Sequence, residues 1–287
     1  MFKLSVFTDE VSQDLEVASK FAKSFNLNGV EIRNVWGKPP QDLLKELNRV
    51  KRILARYKLE VSAIASPFFK ADLKNPEEYT KHLEILEKSI SLAKGLDTKI
   101  VRGFTFWRNG TLDENIDEIA EKFQKPLEIL EKEGIILAIE NEPSTFVGNG
   151  RELAQFLNRI DSKNVGAVWD PGNDIWDPSG EIPYPDGYNY VSRKIVHVHI
   201  KDGVRKGAEG KYQYTAFGEG EVDYRGQFKA LKKDGYSGYL SLETHWRLKK
   251  PLPKDVLIRP VGDEFSAFAE ESSRICMENL QAMLRKI

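Results

Sequence analysis

The sequence predicts a single (β/α)8 TIM barrel spanning residues 1–287, and three observations predict it. Apolar runs of strand length alternate with longer helical patterns from one end of the chain to the other. These runs are nearly continuous in Val, Ile and Leu, as in parallel strands buried on both faces. Four consecutive runs in the second half each stop on a metal-capable residue: ILAIE at Glu140, VGAVWD at Asp170, IVHVH at His199 and YLSLE at Glu243. A length of 287 residues suits one barrel of this kind.

In chain order the expected strands are 4–8, 29–33, 61–65, 99–104, 136–140, 165–170, 195–200 and 239–243. Between them, 13–25, 41–57, 77–94, 114–133, 151–160 and 223–234 carry apolar residues at three- and four-residue spacing, the period of an amphipathic helix. A last helix over about 263–286 closes the ring. Parallel strands need such crossover helices. A doubly wound open sheet shows the same alternation, but FTDEVS stands after the first strand where a dinucleotide fold has its Gly-rich turn. Gly29, Gly134, Gly166 and Gly238 each precede a strand, where a glycine can end a helix in the left-handed conformation. Two post-strand loops are long, 171–190 and 246–262, and long loops in a compact fold often serve as lids or oligomer contacts.

Apolar residues make up 40% and charged residues 30%, enough for a sizeable core beneath an ionised surface. Lys and Arg number 43 against 44 Asp and Glu, so no net basic field draws nucleic acid or anionic membrane, and neither partner is expected. Cys276 is the single cysteine, and MFKLSVFTDE carries acids where a signal peptide needs an apolar run, so a cytoplasmic location is expected. No stretch approaches the roughly 18 apolar residues of a membrane span.

A barrel builds its active site at the C-terminal ends of its strands. Glu140, Asp170, His199 and Glu243 end strands five to eight, which are neighbours around the ring. Carboxylates with one imidazole suit a single divalent ion, Mn2+ being favoured by the oxygen-rich set, with Mg2+, Co2+ and Zn2+ as alternatives. Any one of these acids could instead cap a helix or pair with Lys or Arg; four together are harder to explain that way. His197 and His199 alternate on one strand and share a face. His199, nearer the mouth, is the better ligand, and His197, one layer deeper, is assigned to the substrate side or to hydrogen-bonded support of the site. Lys201 and Arg205 offer cations for a sugar oxygen or phosphate. Glu142, two residues beyond Glu140, and Asn173, three beyond Asp170, complete the substrate-binding candidates. His245 and Trp246 could wall the pocket. The N-terminal half adds Asp9, Glu10, Glu31, Arg33, Ser66 and Arg102, with Trp36, Phe68, Phe104 and Trp107 as aromatic cover.

The runs VEIR, AIENEP, WDPGN, HVHIKD, GEGEVDY and GYSGYLSLE, in this order over nearly the whole chain, resemble the xylose-isomerase-like barrel superfamily. That group includes tagatose and psicose 3-epimerases, inosose isomerases and dehydratases, and zinc endonucleases of DNA repair. The resemblance implies one divalent ion held by Glu140, Asp170, His199 and Glu243, with Glu140 and Glu243 also serving as an acid and base pair on opposite substrate faces. Arg205 matches a substrate-binding arginine of the epimerases by its distance from the ligand histidine. Asn173 falls where those epimerases usually have histidine, and ENEPSTF departs from their motif.

The implied activity is isomerisation or epimerisation of a sugar, sugar phosphate or inosose, through a metal-stabilised enediolate formed by proton abstraction next to a carbonyl. Expelling a β-hydroxyl from the same intermediate would make the enzyme a dehydratase. An abasic-site endonuclease would have further histidine ligands after strands two to four; here strands three and four end in ASPFF and RGFTFW, and His82 lies in a helical pattern. A sugar-binding barrel without turnover is the reading from another class. The resemblance also implies a homo-oligomer, a dimer or tetramer.

Overall fold

Buried strands rich in branched apolar residues pair in parallel when crossover helices connect them and cover the sheet. The computed structural model, which describes residues 2–206, 211–249, 251–260 and 262–287, contains all eight expected barrel strands. They are β1 (Lys3–Val6), β2 (Gly29–Ile32), β3 (Glu60–Phe68), β4 (Ile100–Gly103), β5 (Ile136–Glu140), β6 (Val165–Trp169), β7 (Ile195–Ile200) and, after an inserted hairpin of β8 (Asp202–Lys206) and β9 (Lys211–Thr215), β10 (Tyr239–Leu242). Their order is β1-β10-β7-β6-β5-β4-β3-β2, and a parallel bridge between Phe7 and Glu31 joins the two ends of the sheet into a ring.

The helices α1 (Leu15–Ser24), α2 (Leu47–Tyr57), α3 (Pro76–Gly95), α4 (Leu112–Glu133) and α5 (Gly150–Ile160) follow the first five strands. Their starts are set by local chemistry: Asn75 caps α3 ahead of Pro76, Thr111 and Glu114 form a reciprocal capping box on α4, and Asn149 caps α5. The outward faces of the strands pack against these helices through Val30, Ile32, Val101, Leu137, Ile139 and Val198, all fully buried. Inside the ring the polar side chains of Ser5, Glu31, Arg102, His197, His199 and Ser241 are also buried, and Ser5, Ser241 and His199 lie in one register across β1, β10 and β7. A polar lumen is expensive unless its members pair with one another, which directs attention to that interior.

The structure corrects several expectations. The hairpin β8–β9 was not expected; its antiparallel ladder runs from Asp202 opposite Thr215 to Lys206 opposite Lys211. The stretch 171–190 is not a loop throughout: it contains α6 (Pro171–Trp176) and most of α7 (Tyr188–Val191). After α8 (Tyr224–Lys233), the stretch 246–262, of which Lys250 and Val261 lie outside the described residues, includes α9 (Lys254–Ile258). The closing helix is two pieces, α10 (Gly262–Ser266) and α11 (Ala269–Leu284), broken where Phe268 takes a left-handed φ of 56°. Of the four pre-strand glycines, Gly134 alone is left-handed, with φ 66°. Gly29 is small for another reason: a Cβ there would lie 2.5 Å from the Glu60 carbonyl oxygen across the sheet. Among the described residues no helix is long and apolar enough to cross a membrane.

Candidate metal centre

Each strand end delivers its side chain by simple alternation. Glu140 is the last residue of β5, Asp170 follows β6, His199 is the inward residue before the end of β7, and Glu243 follows β10. One ligand atom from each of the four lies within 4.8 Å of the others, and all four residues are buried. His199 Nδ1 stands 3.1 Å from Glu140 Oε1, 3.6 Å from Glu243 Oε2 and 3.7 Å from Asp170 Oδ2. Asp170 does two things: its Oδ1 accepts the Asn173 backbone N–H at 3.0 Å, capping α6, while its Oδ2 turns to the cluster.

Two features show that the donor set fits a divalent ion. First, among the described residues the buried oxygens Asp170 Oδ2 and Glu243 Oε2 accept no well-formed hydrogen bond and have the Lys201 ammonium as their nearest cation, although such groups are normally satisfied. Second, the imidazole of His199 is aimed. Glu31, on β2 across the lumen, holds His199 Nε2 at 3.1 Å and His197 Nε2 at 2.8 Å, which leaves Nδ1 of His199 to face the carboxylates. A carboxylate behind a ligating histidine fixes its tautomer and raises its basicity. Burial alone would disfavour a charged His199, but Glu31 and Glu140 outweigh it and push its pKa up to about 10. The place of a cation is already marked: Lys201 Nζ lies 2.9 Å from Asp170 Oδ2, 2.8 Å from Glu243 Oε2 and 3.9 Å from Glu140 Oε1. Those two shorter contacts are ion pairs.

Guanidinium groups hold the two glutamates from behind. Arg102 Nη1 donates to Glu140 Oε2 at 3.1 Å, and Arg33 Nη1 donates to Glu243 Oε1 while its Nε grips Asp9 at 3.0 and 2.9 Å. Against the cost of burial, His199 and Arg102 bring Glu140 down to about 2, and Lys201, His245 and Arg33 hold Glu243 well below the usual carboxylate range. Burial pushes Asp170 the other way, up to about 7, although Lys201 opposes it. A further layer is formed by Glu10, which binds His245 Nδ1 at 2.7 Å and Arg247 Nη1 at 3.0 Å.

A cavity of about 600 Å³ opens beside the cluster, lined in part by Asn173 and Lys201, which touch Glu140 and Asp170. Its wall is aromatic on one side, where Trp176 stacks on Tyr212 and Tyr214 of β9 at 5.3 and 4.5 Å between ring centres. Of the substrate-side candidates, Asn173 donates to Glu140 Oε1 at 3.1 Å, and Glu142 lines the cavity but turns from the cluster to Lys70, 3.4 Å away. His197 is fully buried under His199 and its partner is Glu31, so it supports the ligand and does not reach the cavity. Arg205 is also placed elsewhere: its position on β8 carries the guanidinium to the Ile175 carbonyl, at 3.3 and 3.0 Å, and to the face of Tyr212. Arg205 is part of the inserted hairpin, whose ladder pairs it with Tyr212.

Glu31, Arg33, Asp9 and Glu10, which the N-terminal sequence offered without a role, prove to be the supports of the site. A charged residue in the middle of a four-residue buried strand such as Glu31 is the signal for it. Lys70, Tyr214 and Arg247 carry no comparable local signal.

Residues 19–259 match the family model described as the xylose isomerase-like TIM barrel. The chain belongs to that family. Within the xylose isomerase-like barrels, it is 26% identical over 271 residues to an inosose dehydratase of Clostridium perfringens, covering 83% of this chain and 86% of that protein. It shares its fold with the IolI protein solved with a zinc atom (TM-score 0.76, 16% identity, 99% of each chain). A D-allulose 3-epimerase of Methylomonas solved with D-allulose shares it too (TM-score 0.74, 17% identity, 98% of this chain and 97% of that one).

The carboxylate behind His199 gives a direct prediction. Glu31→Gln weakens Mn2+ binding by about 10- to 100-fold, as loss of such a support typically does. Isothermal titration of the variant and the parent chain compares the two constants, and equal affinities would remove Glu31 from the metal centre.

Proposed function

We propose that this protein is a divalent-metal-dependent enzyme that removes the proton from a carbon next to a carbonyl of a polyhydroxylated ketone, such as a ketose or an inosose, and acts as an isomerase or epimerase. The observation that carries this reading is the convergence of Glu140, Asp170, His199 and Glu243 within 4.8 Å, beside a cavity of about 600 Å³. These four residues would hold the ion, which supplies a Lewis acid for the substrate's carbonyl and neighbouring hydroxyl.

The remaining work falls to the chain's own groups. Glu140 and Glu243 come from opposite sides of the cluster, and Arg102 and Arg33 keep them ionised, ready to accept a proton. One takes the proton from the substrate carbon and the other side returns it, which inverts that carbon or, on the adjacent carbon, exchanges ketone and aldehyde. Asn173 orients Glu140 from the cavity side. Trp176 and Tyr214 offer flat apolar cover to a substrate ring and limit water at the reacting carbon.

Dehydration is the second reading, favoured by the sequence likeness to inosose dehydratase over 83% of this chain. The same proton abstraction would then be followed by cleavage of a β carbon–oxygen bond, with the hydroxyl leaving as water.

Solvent deuterium incorporation tests both. Mn2+-loaded protein is incubated with ketoses, inososes and their phosphates in D2O beside a chelator-treated control, and NMR follows the substrate carbons. Metal-dependent exchange with an isomeric product is the expected result; exchange with an unsaturated product moves the assignment to dehydratase. Tight metal binding with no exchange across the panel would overturn proton abstraction as the reaction.

A further inference from the structure

The strangest resident of the lumen is Lys201. Its side chain is 3% exposed and its ammonium sits between Asp170 Oδ2 and Glu243 Oε2, at 2.9 and 2.8 Å, among the atoms that would ligate an ion. The placement is built into the fold. Alternation along β7 points His197, His199 and Lys201 to the same side. The Tyr224 hydroxyl fixes the Lys201 backbone from outside, accepting its N–H at 3.2 Å and donating to its carbonyl oxygen at 2.5 Å. Gly172 gives room for the stem, since a Cβ there would lie 2.4 Å from Lys201 Cγ. The backbone is therefore held, and the side chain has one open neighbour, the cavity that it lines.

An ammonium and a divalent cation cannot share the same buried carboxylate oxygens: they repel, and the interior screens that repulsion poorly. Without a cation there, the carboxylates of Glu140, Asp170 and Glu243 would repel each other more strongly: Arg102 and Arg33 hold only the far sides of Glu140 and Glu243, and His199 Nδ1, at 3.1 to 3.7 Å, is the one imidazole among the described residues that faces all three.

We propose that Lys201 is a tethered counter-ion of the metal centre, holding Asp170 and Glu243 together until a divalent ion displaces its ammonium into the substrate cavity. Metal loading thereby does two things with one side chain. It frees the two ligand oxygens that accept no well-formed hydrogen bond, and it delivers a positive charge to the space where a substrate oxygen is bound. Metal affinity is set against an internal competitor, and substrate affinity rises only after the competitor has moved. This inference rests on the metal-centre reading proposed above.

Two measurements test it without reference to turnover. Isothermal titration of chelator-treated protein with MnCl2 compares the parent chain with Lys201→Met. The variant is expected to bind Mn2+ at least tenfold more tightly, and its metal-free form to melt at a lower temperature. Equal or weaker Mn2+ binding by Lys201→Met overturns the counter-ion role while leaving the metal centre standing; no binding by either protein overturns both. The second measurement needs no variant. Acetic anhydride labelling of the parent chain, read by mass spectrometry on the Lys201 peptide, is expected to be at least fivefold faster with Mn2+ than with chelator. Equal labelling in the two states would show that the ammonium does not move and would overturn the proposal.

Discussion

Arg33→Met lowers the stability of the fold by about 3–5 kcal/mol, the usual result of removing one partner from a buried ion network. Arg33 is 3% exposed and its guanidinium serves three carboxylates: Asp9, Glu10 at 3.2 Å and Glu243. The ring faces of Phe7 and Phe265 sandwich it at 4.5 and 4.7 Å. Methionine fills much of the space but leaves three buried acids without their shared cation, and a domain of this kind has only about 5–15 kcal/mol of stability to lose. The exposed pair of Lys3 and Glu60 is the internal comparison: at 2.7 Å it is as short, yet its side chains are 45% and 59% accessible, so Lys3→Met costs about 1 kcal/mol or less. Urea unfolding followed by circular dichroism measures both. A loss for Arg33→Met as small as that for Lys3→Met would mean that the acids around it are satisfied by other groups.

Glu140→Gln and Glu243→Gln each reduce metal-dependent deuterium exchange by about 10²- to 10⁴-fold, the range supplied by a positioned proton-transfer group. The amide keeps an oxygen for the ion but cannot accept the proton. It also turns an NH2 group toward a cation on one side, since Glu243 lies between Arg33 and Lys201 and Glu140 is held by Arg102. Mn2+ content and melting temperature must therefore be measured with the rates, so that a lost base is separated from a lost ligand. Turnover unchanged in a variant that still binds Mn2+ would take that glutamate out of the chemistry. Arg205→Ala serves as a control, expected to stay within about twofold of the parent, because the guanidinium is committed to the Ile175 carbonyl.

Much of this site was legible along the chain. A buried strand has a period of two and a defined end, so the apolar runs stopping at Glu140, Asp170, His199 and Glu243 place four candidate ligands at one mouth from the sequence alone. A local signal likewise placed the left-handed glycine at Gly134, though not at Gly29, Gly166 or Gly238. Local signals failed at the hairpin β8–β9 and at the break in the closing helix, where Arg247 Nη2 donates to the Phe265 carbonyl at 2.7 Å from a distant part of the chain.

The sequence by itself determined the barrel, its strand order in outline and the candidate ligand set, because these follow from periodicities that neighbouring residues enforce on one another. Only the tertiary structure decided what surrounds the ligands. Ring closure brings Glu31 to His197 and His199 across 166 and 168 positions of chain, and Arg33 to Glu243 across 210. The long cations show the difference most plainly. Arg205 and Lys201 lie four residues apart, yet one leaves the site on a hairpin and the other fills its centre. Their stems are flexible, so the partners decide: Arg205 is captured by the Ile175 carbonyl and the Tyr212 ring, and Lys201 by Asp170 and Glu243, whose strands meet only in the closed barrel.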